Sequence, residues 1–257
     1  MVKPAMANNL VFAKFCNSGI LLKAAPTAAV PDGMFDLATD ADIFAMVMGF
    51  LVPLMFMIFI FTGVQAIAPE SISGEKERGT LGAVLVTPAS RRDIALGKIL
   101  SISIFSLLGA VGSIVGMIFS MPNMVGMDFS SFIEFYTALD LLLLFTVAAS
   151  TTLVFVSVLS ILSAFSKSVK EATAYSTPLM LVVTLTGLAS TILGRVPSEP
   201  IFYLIPIFNS SLSLSAIVSF EVSVVNMAIT AGVNIFVTLI CTLILARIFD
   251  SEKIVFS

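Results

Sequence analysis

The charged residues that could do chemistry crowd into one stretch: Glu75-Lys76-Glu77-Arg78-Gly79-Thr80, then Ser90-Arg91-Arg92-Asp93, then Gly97-Lys98. Glu75 and Arg78 stand at i,i+3, close enough to pair on one helical face. Gly74 and Gly79 have the glycine spacing of a phosphate-binding loop, but Thr80 stands where its lysine belongs. The chain has no histidine, which removes the usual general base and the usual zinc ligand together. Asp140 is the one acid well placed within an apolar run, and an aspartyl mechanism needs two close together. An enzyme is therefore disfavoured, and the plain reading of the charged stretch is a solvated loop with ordinary helix caps.

The elements that carry these residues are apolar. Of 257 residues, 58% are hydrophobic and 11% charged, with mean hydropathy +1.09. Soluble domains carry about 25% charged residues, so this chain cannot cover a water-facing surface. Lipid takes that place. The net charge of −3, with no basic stripe, does not imply nucleic acid. Cys16 and Cys241 make no disulfide framework and read as small packing residues.

The composition predicts an all-α integral membrane protein, a bundle of about five transmembrane helices. Runs at 43–67, 99–119, 135–165, 172–193 and 224–248 are long enough to cross about 30 Å of hydrocarbon at about 1.5 Å per residue. Residues 1–41 read as an extracytoplasmic segment outside the bilayer, because Lys14 interrupts the only candidate signal sequence. The segment 201–220 differs from the spans. Asn209-Ser210-Ser211 lies at its middle, which suits a re-entrant segment that dips in and returns.

Basic residues test that assignment. With 201–220 re-entrant, Lys76, Arg78, Arg91, Arg92, Lys98, Lys167, Lys170, Arg247 and Lys253 share the cytoplasmic side. Lys3, Lys14, Lys23 and Arg195 share the other. If 201–220 spanned, Arg247 and Lys253 would cross over and nearly erase the asymmetry. The positive-inside rule favours re-entry, with the N-terminus outside and the C-terminus cytoplasmic in a multi-pass plasma-membrane protein.

The stretch 69–98 has its own local logic. The apolar run 81–86 predicts a short helix at the membrane surface, which Pro88 breaks. Ser90 with Asp93 three residues on has the form of a helix N-cap opening the second span.

The order Glu75-Lys76-Glu77-Arg78-Gly79-Thr80-Leu81, then Thr87-Pro88-Ala89-Ser90-Arg91, then Leu96-Gly97-Lys98 resembles the membrane subunits of ABC-2 type transporters. Two further matches follow in order, Ser166-Lys167-Ser168-Val169-Lys170-Glu171-Ala172 and Ile205-Pro206-Ile207-Phe208-Asn209-Ser210. Together they cover 42–257, which the resemblance makes the ABC-2 type transmembrane domain, and the sodium-efflux permease branch looks closest. The resemblance implies a permease subunit of an exporter that works with a separate ATP-binding subunit, where ATP and Mg would reside; this chain would hold no cofactor. It implies that Glu75, Glu77, Arg78, Gly79 and Thr80 form a cytoplasmic coupling helix that docks on that subunit. It also places 201–220 near the outer mouth. Members of this branch open with an extra span and an external domain, so a natural short form or a piece of a longer chain is expected.

Asp140, Gln65 and Asn209 are candidates for lining a substrate path, while Asp140 beside Tyr136 equally suits a side chain reaching for the outer interface. Gly109, Gly112 and Gly116 include one G-x-x-x-G, which serves packing within the chain or against a second membrane subunit in a homodimer or pseudo-dimer. Met and Phe, abundant at 13 and 22, read as lipid-facing or core filler. The rival readings are an ATP-independent channel or secondary transporter and a non-transporting membrane scaffold. The first predicts an internal repeat and acids at the midplane, and the sequence has neither.

Overall fold

The computed structural model describes residues 40–85, 87–88, 90–125, 136–192, 199–218 and 222–250. The readings of residues 1–39, Arg195 and Lys253 lie outside them. All regular structure among the described residues is helical: α1 (Asp40–Glu77), α2 (Thr80–Leu85), α3 (Arg91–Val125), α4 (Ala138–Phe165), α5 (Val169–Ile192), a 3-10 turn (Pro200–Leu204), α6 (Phe208–Val218) and α7 (Val224–Asp250). Five of these helices, α1, α3, α4, α5 and α7, are long and apolar enough to cross a membrane.

Two helices outrun their apolar stretches. α1 continues past 67 through Pro69 to Glu77, and α3 begins at Arg91 rather than at 99. Pro69 removes one N–H from the helical ladder, yet the helix goes on, because neighbouring helices hold the residues beyond it. The stretch 69–98 is therefore mostly helix, with a narrow elbow at Arg78-Gly79, the one-and-a-half turns of α2, and a bend at Thr87-Pro88. α2 is the short helix that the apolar run predicts. The Ser90 hydroxyl accepts the Asp93 N–H at 3.1 Å and donates to the Asp93 carboxylate at 2.7 Å, so α3 starts with the predicted cap.

α4 lies at the centre and touches α1, α3, α5, α6 and α7. Phe61 of α1 meets Phe155 of α4 edge to face, ring centres 5.3 Å apart. α5 packs on α1 at Gly187, where an added Cβ would come within 2.7 Å of Leu54 Cδ1 and 3.5 Å of its Cα. A larger residue there would have to displace the Leu54 side chain.

Polarity is inverted relative to a soluble protein. Leu100, Phe105 and Leu108 of α3 and Phe236, Leu239 and Leu243 of α7 point outward, while Ser150, Asn209, Ser213, Thr230 and Asn234 are buried. An outer face this apolar suits lipid and would aggregate in water. Hydroxyls on the spans bond carbonyls one turn back, as Thr151 does to Val147 and Thr242 to Thr238, both at 2.7 Å.

Ahead of α7 the chain makes the 3-10 turn, passes through Ile207 in left-handed backbone (φ 71°) and enters α6. α6 has 11 residues and is about 16 Å long, too short to cross the hydrocarbon.

Candidate coupling site

The end of α1 is built to stop sharply and to stay attached. Gly79 adopts φ +72° and its N–H bonds the Lys76 carbonyl at 3.0 Å, while the Arg78 N–H bonds the Gly74 carbonyl at 3.0 Å. The Thr80 hydroxyl donates to the Glu75 carbonyl at 3.2 Å. Three of the carbonyls that a helix end leaves free are thereby satisfied, and the left-handed glycine turns the chain into α2.

The anticipated pair of Glu75 with Arg78 is not made. α1 ends at Glu77, so Arg78 leaves the helical path and its guanidinium folds back to Glu70, both side chains exposed. Glu75 turns the other way and pairs with Lys98 of α3, whose ammonium also donates to the Ser71 carbonyl at 2.9 Å.

The same end of α1 grips the turn between α4 and α5. The Ser73 hydroxyl lies 2.6 Å from that of Ser166 and donates to the Ser163 carbonyl at 2.9 Å. The Glu77 carboxylate accepts the Val169 N–H, at 3.1 Å, on the first residue of α5. Free N–H groups and the helix dipole favour a carboxylate there. Ser168 accepts the Glu171 N–H at 3.2 Å, and the Glu171 carboxylate accepts the Lys167 N–H at 2.7 Å. The stretch 166–172 thus packs against the end of α1 that bears Ser73 and Glu77, a relationship that their separation in sequence conceals.

Of the five expected docking residues, Arg78, Gly79 and Thr80 are exposed at the elbow. Glu77 is exposed but engaged with α5, and Glu75 is half-buried against α3. The stretch that follows, Thr87-Pro88, is exposed as well.

The other three candidates lie apart from the elbow and from one another. Gln65 donates from Nε2 to the Ser176 hydroxyl of α5. Asp140 sits in the first turn of α4, at its start rather than deep within the apolar run. Its carboxylate accepts the Thr137 N–H at 2.9 Å and hydroxyl at 2.8 Å, completing a capping box. Beside it, burial pushes the Tyr136 phenol up to about 12, with the Asp140 charge adding to the rise.

Asn209 is fully buried where α6 meets α7. Its Nδ2 donates to Asn234 Oδ1 at 3.1 Å, and Asn234 donates to Ser210 at 3.0 Å and to Ser150 of α4 at 3.2 Å. Ser213 and Thr230 bond at 2.8 Å alongside. Sequence reasoning singled out Asn209 and passed over Asn234 and Ser150. Asparagine at the middle of the apolar run 224–248, well inside Asn226 near its start, was the available signal, since such residues seek partners in a bundle interior.

Gly109, Gly112 and Gly116 lie on a face of α3 where an added Cβ would meet nothing within 4 Å, so they serve no close packing among the described residues.

Residues 23–247 match the family described as ABC-2 family transporter protein. Over 76 residues the chain is 33% identical to the ABC transporter permease protein NatB of Bacillus subtilis (strain 168), a stretch covering 30% of this chain and 20% of that protein. The match thus spans about a fifth of that relative's length. No solved structure matches the chain.

Proposed function

The chain belongs to the ABC-2 family of transporter proteins, and we propose from that premise that it is the permease subunit of an exporter driven by a separate ATP-binding subunit. The observation that carries this reading is the elbow. Its tip, Arg78-Gly79-Thr80, faces outward, while the helix that bears it is fastened to α3, to the end of α4 and to the start of α5. A push on the tip therefore reaches three spans.

In this mechanism Arg78, Gly79 and Thr80 meet the partner, and Glu75 and Glu77 pass the motion inward. ATP and Mg belong to the partner. A ligand biases only states that it distinguishes, so ATP closure of the partner acts on the spans through this contact. The elbow faces the cytoplasm, a placement supported by Lys76, Arg78, Arg91, Arg92, Lys98, Lys167 and Lys170 gathered at this end of the spans. Residues 1–41 and the re-entrant segment 201–220 then belong to the outer side, and the length of α6 supports re-entry. The open glycine face of α3 supports a second membrane subunit packing there.

The deciding experiment is purification of the tagged protein from native membranes in mild detergent, with mass spectrometry of what accompanies it. The expected result is a stoichiometric soluble ATPase that is lost with Arg78→Glu. Recovery of the protein alone, from membranes that contain such ATPases, would overturn the permease reading in favour of a scaffold.

A further inference from the structure

Lys98 reaches from the second turn of α3 to the end of α1, and its side chain is only 13% exposed. Two of its contacts lie one helical turn apart on α1: the Ser71 carbonyl, at 2.9 Å, and the Glu75 carboxylate. The Glu75 side chain is itself 30% exposed, and its Oε2 is buried with no hydrogen-bond partner among the described residues. Much of what compensates this acid is therefore one ammonium from a different helix. Removing one member of such a pair leaves an uncompensated charge, which costs more than the pair itself contributes.

The position of the pair gives it a role beyond stability. The elbow and α2 join the end of α1 to the start of α3, and the Lys98 ammonium closes that loop at its base. Without the clamp, a force at Arg78 would hinge the chain at Gly79 and dissipate there. With it, the last turns of α1 and the first turns of α3 are one lever. We propose that Lys98 is the positioning residue of the coupling elbow, clamping α1 to α3 through Ser71 and Glu75 so that both helices carry the push together. The proposal rests on the coupling reading above and assigns Glu75 to an internal clamp instead of the docking face.

The test separates the two. Amide hydrogen exchange on the full chain alone in lipid nanodiscs reads Arg78 and Gly79, whose N–H groups bond within the end of α1. Lys98→Met is expected to speed their exchange about tenfold, the loss of a charge-assisted hydrogen bond. The exchanged pair Glu75→Lys with Lys98→Glu is expected to reverse this in part, because a carboxylate at 98 restores the ion pair and cannot donate to the Ser71 carbonyl. In vesicles, Lys98→Met is expected to keep the co-purifying ATPase bound and to shift its rate of ATP hydrolysis several-fold from that with the native chain, moved back toward native by the exchanged pair. Unchanged exchange and hydrolysis in Lys98→Met would overturn the clamp, as would an exchanged pair that folds and moves neither toward native. If Lys98→Met does not fold, Glu75→Gln with Lys98→Gln, which buries no charge, takes its place under the same criteria. If no ATPase accompanies the native protein, the coupling reading fails, and the exchange data decide the clamp by themselves.

Discussion

The carboxylate of Glu77 accepts the backbone N–H of Val169 at 3.1 Å, so the last residue of α1 caps the first residue of α5. This joins two helices that are adjacent in space and 92 positions apart in sequence. An acid at a helix N-terminus contributes about 0.3–1 kcal/mol at an exposed site. Its effect on geometry is larger, because it fixes where α5 starts relative to the elbow.

Glu77→Ala should therefore lower the melting temperature only slightly and still loosen the start of α5. Hydrogen exchange at Val169 is the direct measurement, and it should rise while exchange in the middle of α4 stays constant. Equal protection of Val169 in both proteins would mean that the cap contributes nothing.

Gly79 offers a test free of packing effects. An added Cβ there meets nothing within 4 Å among the described residues, so the expected cost of Gly79→Ala is that of the left-handed backbone, about 1–2 kcal/mol. Asparagine tolerates that conformation better than alanine. Thermal unfolding in detergent should rank the proteins glycine, then asparagine, then alanine. An alanine variant as stable as the native protein would show that the turn can reform without a positive φ.

These elements differ in how far the sequence betrays them. The five spans were legible because apolar length alone specifies them, and the Ser90–Asp93 cap because its two members are three residues apart. The partner of Glu75 was not. Arg78 is nearer in sequence, but the helix ends before it, and Lys98 reaches Glu75 only after the chain has turned through the elbow. The full reach of α1 was not legible either: the apolar run stops at 67, and tertiary contacts carry the helix on through Pro69 to Glu77. Thr137 stands three residues before Asp140, the same spacing as Ser90 and Asp93, so the cap that places Asp140 at a helix start was readable.

Asp140 and Asn234 are expected to behave in opposite ways when neutralised or truncated. Asp140 caps α4 at an exposed start, so Asp140→Asn should retain near-native stability and leave transport unchanged. Its neutral side chain should also let the Tyr136 phenol titrate at lower pH, because the carboxylate charge helps to raise it. Asn234→Ala removes a group that holds Asn209, Ser210 and Ser150 together. Each buried polar group left unpaired costs about 1–3 kcal/mol, so this variant should unfold well below the native protein. Loss of transport in a stable Asp140→Asn protein would instead make Asp140 part of the substrate path.

The proposed orientation of the bundle predicts which ends of the spans an impermeant thiol reagent reaches. Thr87 is exposed at the bend after α2, and Thr137 is exposed just ahead of α4, at the opposite end of α3. In a chain with Cys16 and Cys241 replaced by serine, Thr137→Cys should be labelled in intact cells. Thr87→Cys should be labelled only after the membrane is breached. The basic residues of the elbow favour this sense, because translocating them costs more than leaving them on the cytoplasmic side. The reverse pattern would put the elbow outside the cell, beyond the reach of any ATP-binding subunit, and the permease mechanism would fall with it.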